Sequence, residues 1–428
     1  MSGRCTGGYP AAVAAWVEHL RAGGTTPWTD WAAGDGRPSS VLPQDRLDEV
    51  PVGAAECEFV RRLAVSARDH ADDDADRSAE EFASLADLVL SRSGPGRGRP
   101  AQPLPWPGPV DGSAVSSVPT GPPALDPADV PDAELIRVGC GVLAELLIAS
   151  GPRGPAAGSP AMPRRPLLTR VPAFRIEGAA VTTARLRRRL ADRGVVEGGL
   201  SPLVLLVGHG LDAMLAQAWS ARVQRGSQAR WPGFVARWSG RDRLPSSADL
   251  PRIAKRWTER VGAGNVHLMV RAGPPAGEVA GLLGIAPESG GAWSGLAPAY
   301  RDLSPAEVDV VRRVNAVLAV RTGPEHAAGL RRTLVAELAD LLPRRHPPQA
   351  LGVPPRLQPW ARARALRMVE QLGSGGYVVH GDLERIMPRF EQPETRPPGS
   401  TVLRLLTLAC LDLAGRNEQT LEGEEQRR

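Results

Sequence analysis

Apolar residues recur at helical spacing through the first part of the chain. Val13, Trp16, Val17 and Leu20 share one face of a helix. Phe59, Val60, Leu63 and Val65 mark a second helix, and Phe82, Leu85, Leu88 and Val89 a third. DAELIRVGCGVLAELLIA, from Asp132, reads as another strong helix. The pattern changes from Leu167. AFRIEGAAV has a strand-like alternation, TTARLRRRLADRG is helical, PLVLLVG is a short apolar run of the kind a buried strand shows, and DAMLAQAWSARVQ is helical again. WPGFVARW and LPRIAKRWTERVG follow as helices, and NVHLMVRAG as a strand. After Gly290 four further helices are predicted: SPAEVDVVRRVNAVLAV, HAAGLRRTLVAELADLL, QPWARARALRMVEQLG and TVLRLLTLACLDLA.

Strands alternating with helices indicate an α/β unit with a parallel sheet, because parallel neighbours need a crossover connection. Pro/Gly-rich stretches at 91–131, 150–166 and 391–400 cannot hold regular structure for long and mark boundaries. The predicted organisation is a helical region over 1–150 with a Pro-rich insertion (91–131), a linker (151–166), an α/β domain (167–390, helical from about 300), and a C-terminal helix with a frayed polar tail (400–428). Ala55 to Leu63 and Ala306 to Val314 share a pattern ending in Arg-Arg. This is read as the chance likeness of two amphipathic helices rather than a repeat.

Composition narrows the function classes. A net charge of +5 over 428 residues is mild, and the arginines alternate with acids between Glu177 and Asp192. Five Phe and three Tyr offer little for base stacking, so no nucleic-acid partner is expected. Lys255 is the only lysine, and this arginine bias with abundant Ala, Gly and Pro points to high-GC, actinobacterial coding. No uninterrupted apolar run reaches the length of a membrane span, and Glu18 and His19 interrupt the N-terminal apolar patch, so a cytoplasmic protein is expected. Cys5, Cys57, Cys140 and Cys410 form no CxxC pair. No metal site is expected, and the last three are read as buried thiols in apolar helices.

Five stretches invite a chemical reading. AGGTTPW (22–28) is loop-like but follows a helix and lacks a lysine, so a helix C-cap at Gly23-Gly24 is the better reading. ADDDAD (71–76) reads as a solvated loop and helix start rather than a metal cluster. GHGLD (208–212) has the outline of a nucleophile elbow, but His209 stands where Ser or Cys is required, which argues against a hydrolase. His267 and His380 read as structural histidines at strand edges. Trp219, Trp231, Trp238 and Trp257 read as helix-to-sheet packing rather than a sugar platform.

Several of these stretches in order, LVLLVGHGLDAMLAQAWSARVQ, WPGFVARW, IAKRWTERVGAGNVHLMV, LLGIAPE, LSPAEVDVVRRVNAVL and QPWARARALRMVEQLGSGGYVVHGDLERIMP, resemble successive blocks of actinobacterial sulfotransferase-like proteins. The resemblance covers about 167–390. It implies a three-layer P-loop-like parallel sheet and use of the sulfate donor PAPS. It also implies a first strand leading into a Lys-Thr-Gly-Thr-Thr loop for the 5′-phosphosulfate, then a second strand whose Arg and Ser hold the 3′-phosphate. On that alignment Gly178, Thr182 and Thr183 keep their places, Val181 replaces the loop glycine, and no lysine is present. His209 and Gln217 take the Arg and Ser positions. Without the lysine, a transferring sulfuryl group loses its main charge stabilisation.

Three functions follow. The leading one is a degenerate sulfotransferase-like protein without catalysis and without a cofactor, serving as a binding or partner subunit. If nucleotide binding is retained, PAPS or PAP would be held by Gly178, Thr182, Thr183, His209 and Gln217. The second is an active PAPS-dependent sulfotransferase on a carbohydrate or lipid acceptor, with His209 and Arg175 or Arg185 substituting. The third is a helical interaction protein with no nucleotide role.

Overall fold

The computed structural model describes residues 9–33, 53–69, 75–93, 104, 125–152, 173–193, 195, 197–271, 276–285, 301–341, 351–391 and 394–425. Cys5, residues 71–74, most of the Pro-rich insertion, most of the linker and residues 286–288 of the LLGIAPE block lie outside them. The chain forms two compact units, Met1–Gly151 with Pro398–Arg428, and Pro152–Pro397. The C-terminal helix therefore belongs with the N-terminal helices rather than standing apart.

The first unit is helical: α1 (Tyr9–Arg21), α2 (Trp28–Ala33), α3 (Ala54–Asp69), α4 (Ala75–Leu90), α5 (Asp132–Ser150) and, closing the chain, α14 (Gly399–Glu425). The apolar faces predict most of its core. Trp16, Leu20, Phe59, Leu63, Leu85, Leu135, Leu143 and Leu147 are fully buried. Val65 is the exception and lies on the outer side of α3. Gly139 on α5 permits close packing, since a Cβ there would meet the Phe59 ring at 2.8 Å and Leu406 of α14 at 3.5 Å. The polar tail does not fray at its start: Glu, Gln, Leu and Arg are good helix formers, and α14 continues to Glu425. AGGTTPW forms the C-cap of α1, with Gly23 at φ 78° and Gly24 N–H donating to His19 O at 2.8 Å.

The second unit holds four strands, β1 (Phe174–Gly178), β2 (Leu203–Gly208), β3 (Val266–Val270) and β4 (Val378–Gly381). They make one all-parallel sheet in the order β1-β2-β3-β4, so the protein is mixed α/β. Its helices are α6 (Ala180–Asp192), α7 (Leu211–Gln224), α8 (Trp231–Ser239), α9 (Leu250–Val261), α10 (Ala276–Leu282), α11 (Pro305–Arg321), α12 (Pro324–Leu341) and α13 (Gln358–Gly373). β4 interrupts the predicted helical run after residue 300 and contains His380, which reads from the sequence as a strand-edge histidine. At four residues, with Val378 and Val379 both over a third exposed, it carries little of the apolar signal that marks an interior strand.

Helices cover both faces of the sheet. Phe174, Ile176, Leu205, Val207 and Met269 pack with Leu186 and Leu190 of α6 and Val279 of α10. Successive strand residues alternate faces, so Glu177 points the other way. There it accepts from Trp257 Nε1 of α9 at 2.8 Å and pairs with Arg256. The alternation also lets α9 pack tightly at Gly208, where a Cβ would meet Leu250 Cδ1 at 2.5 Å.

The likeness between α3 and α11 extends to chemistry. Glu58 pairs with Arg61 and Arg62 at 2.6 and 2.7 Å, and Asp309 pairs with Arg312 and Arg313 at 2.7 and 2.6 Å. Both acids are buried. Spacings of three and four residues bring such partners together on any helix, so local geometry accounts for the match.

Candidate functional site

In an open parallel sheet, ligands gather outside the carboxyl ends of the strands. Two adjacent turns occupy that edge: β1 to α6, and β2 to α7. The first is as short as such a turn can be. β1 ends at Gly178, Ala179 is the N-cap, and α6 begins at Ala180. Gly178 is required by geometry, because its φ is 113° and a Cβ would lie 2.1 Å from the Val207 carbonyl oxygen. That same oxygen accepts from Ala179 N at 2.9 Å and ties the turn to β2.

The first N–H groups of a helix have no partner within it and, with the helix dipole, favour an anion. At α6 two of them, those of Val181 and Thr182, already have a partner. Gln217 of α7 places Oε1 3.1 Å from Val181 N and 3.1 Å from Thr182 N, and 3.3 Å from Thr182 Oγ1. Its Nε2 donates to Thr182 Oγ1 at 2.9 Å and meets His209 Nε2 at 2.9 Å. Every hydrogen-bonding position of the amide is used. The opposite amide orientation would set N–H against N–H, so the donor scheme fixes both the amide and the histidine: His209 Nε2 accepts and the ring is neutral. Burial lowers the His209 pKa, opposed by a hydrogen bond to the Gly210 backbone.

The site residues read from the sequence therefore divide. Thr182, His209 and Gln217 form one hydrogen-bonded cluster. Gly178 ends the strand, and Thr183, buried in α6, donates back to Ala180 O at 3.0 Å. The proposed substitutes for the missing cation are engaged elsewhere. Arg185 pairs with Asp302, and Arg175 lies 3.8 Å from Glu197. The cavity beside Gln217 is about 180 Å³ and is lined mainly by apolar residues such as Ala213, Ala216, Leu303 and Leu351. Ligand pockets commonly measure roughly 300–1,000 Å³.

One residue of the second turn was not singled out from sequence. Asp212, in the first turn of α7, has its carboxyl pushed above the usual range by burial. Hydrogen bonds from the Ala213 and Arg389 backbone and the Arg389 charge oppose that shift.

The remaining candidates take structural roles. Trp219 and Trp231 lie 5.8 Å apart and donate to Ala229 O and Gly352 O, each at 2.8 Å. His267 and His380 stack across β3 and β4 with Nδ1 and Nε2 at 2.9 Å. Burial, then the neighbouring His380, lowers the His267 pKa. No group of three or more His, Cys, Asp or Glu side chains is placed to hold a metal among the described residues. No helix among them is long and apolar enough to cross a membrane.

No protein family, curated protein or solved structure matches the chain.

Proposed function

We propose that this is a degenerate sulfotransferase-like protein whose P-loop-like, three-layer sheet no longer binds PAPS and whose role is that of a binding or partner subunit. One observation carries the reading: the Gln217 carboxamide occupies the α6 N-terminus, where a nucleotide's phosphate would lie. A neutral amide oxygen satisfies those N–H donors without bringing charge, and the neutral His209 beside it supplies no cation. The one-residue turn, the small apolar cavity and the engagement of Arg175 and Arg185 support the same reading.

A thermal-shift titration with PAP tests it. The expected result is no shift at millimolar PAP. Ligand at a hundred times its Kd stabilises by about 2.7 kcal/mol, on the order of 5 °C for a unit of this size. A saturable shift of that order would overturn the proposal and return PAPS-dependent transfer to the lead.

A further inference from the structure

A second cavity, of about 470 Å³, lies between α9 and α13, and none of its lining residues belongs to the two turns. Its volume falls within the range of small-molecule sites, roughly 300–1,000 Å³. Arg252 and Lys255 line it from α9, and Arg364 and Arg367 from α13. They include the only lysine of the chain. Neither Arg252 nor Lys255 has an ion-pair partner among the described residues. The acid on this wall, Asp249, caps α9 by accepting from Arg252 N at 3.4 Å.

The other two cations are held in place. Asp242 has a φ of 43°, the only positive φ at a non-glycine residue among those described. Strained backbone of this kind persists only where its surroundings impose it, and it collects at ligand sites. From that position the Asp242 carboxylate takes Arg367 at 3.2 Å and Arg364 at 3.8 Å, and accepts from Trp360 Nε1 at 3.3 Å. Two arginines are thus anchored while Arg252 and Lys255 remain uncompensated. Leu244 and Met368 supply a buried apolar floor, and the half-buried Tyr377 lines the cavity too.

We infer that the α9–α13 cavity is a binding site for a small organic anion, a phosphate or sulfate monoester with a compact apolar or aromatic body. The ester oxygens pair with Arg252, Lys255 and the anchored arginines, and the body lies on Leu244, Met368 and Tyr377. Charge-assisted bonds to guanidinium and ammonium groups suit such oxygens. The size of the cavity and its one aromatic residue fit a small molecule rather than a nucleic-acid strand, which needs a long groove and successive stacking rings. This site is independent of the filled turn, so either proposal can fail without the other.

Calorimetric titration at low ionic strength tests it, with phenyl phosphate and phenyl sulfate as probes. Saturable binding is expected, weakened about tenfold or more in the double variant Arg252→Gln, Lys255→Gln, and weakened by added salt. Both residues are exposed on α9, so the variant should keep the wild-type circular dichroism spectrum. Arg260→Gln removes a charge from the same helix, outside the cavity, and should leave the affinity unchanged. Tighter binding of phenyl phosphate identifies a phosphate ester as the ligand, and tighter binding of phenyl sulfate a sulfate ester. Either order supports the site. Absence of saturable binding of both probes in the millimolar range overturns it, as does equal weakening by the Arg260 variant.

Discussion

The second unit contains two places suited to an anion, and they are in opposite states. At the β1–α6 turn the donors are backbone N–H groups, and a neighbouring side chain has met two of them. Between α9 and α13 the donors are arginines and a lysine, two anchored by Asp242 and two left open. The difference lies in reach. A helix N-terminus presents its donors within one turn, where one amide from α7 can take two of them at once. Long side chains around a cavity of about 470 Å³ cannot be saturated by one neighbour. A strand–turn–helix outline therefore says little about ligand binding until the partners of its first N–H groups are known.

The largest effect is expected from Gly178→Ala. The new Cβ would meet a backbone oxygen of the adjacent strand in a conformation that L side chains avoid, and the turn would lose its tie to β2. A loss of about 4 kcal/mol in chemical denaturation is expected. Gly381, with a φ of 103° and a comparable clash against Val270 O, is a sharper control. It lies on the exposed edge strand, where the backbone can shift, so Gly381→Ala should destabilise by about half as much.

Gln217→Leu comes next. It leaves the Val181 and Thr182 N–H groups and His209 Nε2 without their partner, and about 2–3 kcal/mol of stability should be lost. A loss below about 0.5 kcal/mol would mean that water replaces the amide freely, and the contrast between filled and open sites would dissolve.

The pH dependence follows in size. The folded pKa of His209 lies below its ordinary value, so the unfolded chain takes up the proton first. The stability that the neutral ring contributes is complete above about pH 6.5 and is lost as pH falls through the folded pKa, by up to about 1.4 kcal/mol per pH unit. His267 has the same sign. The slope of stability between neutral and mildly acid pH should become shallower in His209→Gln. An unchanged slope would assign the effect to His267 and to His19, whose pKa burial and then the Arg68 charge also lower. Smallest of all, Arg252→Gln with Lys255→Gln should change stability by less than about 0.5 kcal/mol, as expected for exposed charges without partners.

Much of the fold is legible in the sequence because its signals are local. LVLLVG is apolar at every position save its glycine and becomes an interior strand, and AGGTTPW carries its C-cap in two glycines. β4 is harder to read because an edge strand of four residues buries little. The site was only half legible. Thr182, His209 and Gln217 could be named from the spacing of a resemblance, but not that Gln217 turns back onto α6, since that depends on how α6 and α7 pack. The cationic cavity was less legible still. Its residues come from helices more than a hundred positions apart, and the lone lysine at 255 was the one signal on its wall.

The most direct test of the filled turn is a comparison of wild type with Gln217→Gly in rising inorganic phosphate, read as the midpoint of thermal unfolding. If Gln217 stands in for an anion, the variant exposes the α6 N–H groups. Phosphate should then raise its midpoint by several degrees more than that of wild type, both proteins sharing any general salt effect. Equal shifts in the two proteins would contradict the account, because the α6 N-terminus would then have no anion site for Gln217 to fill.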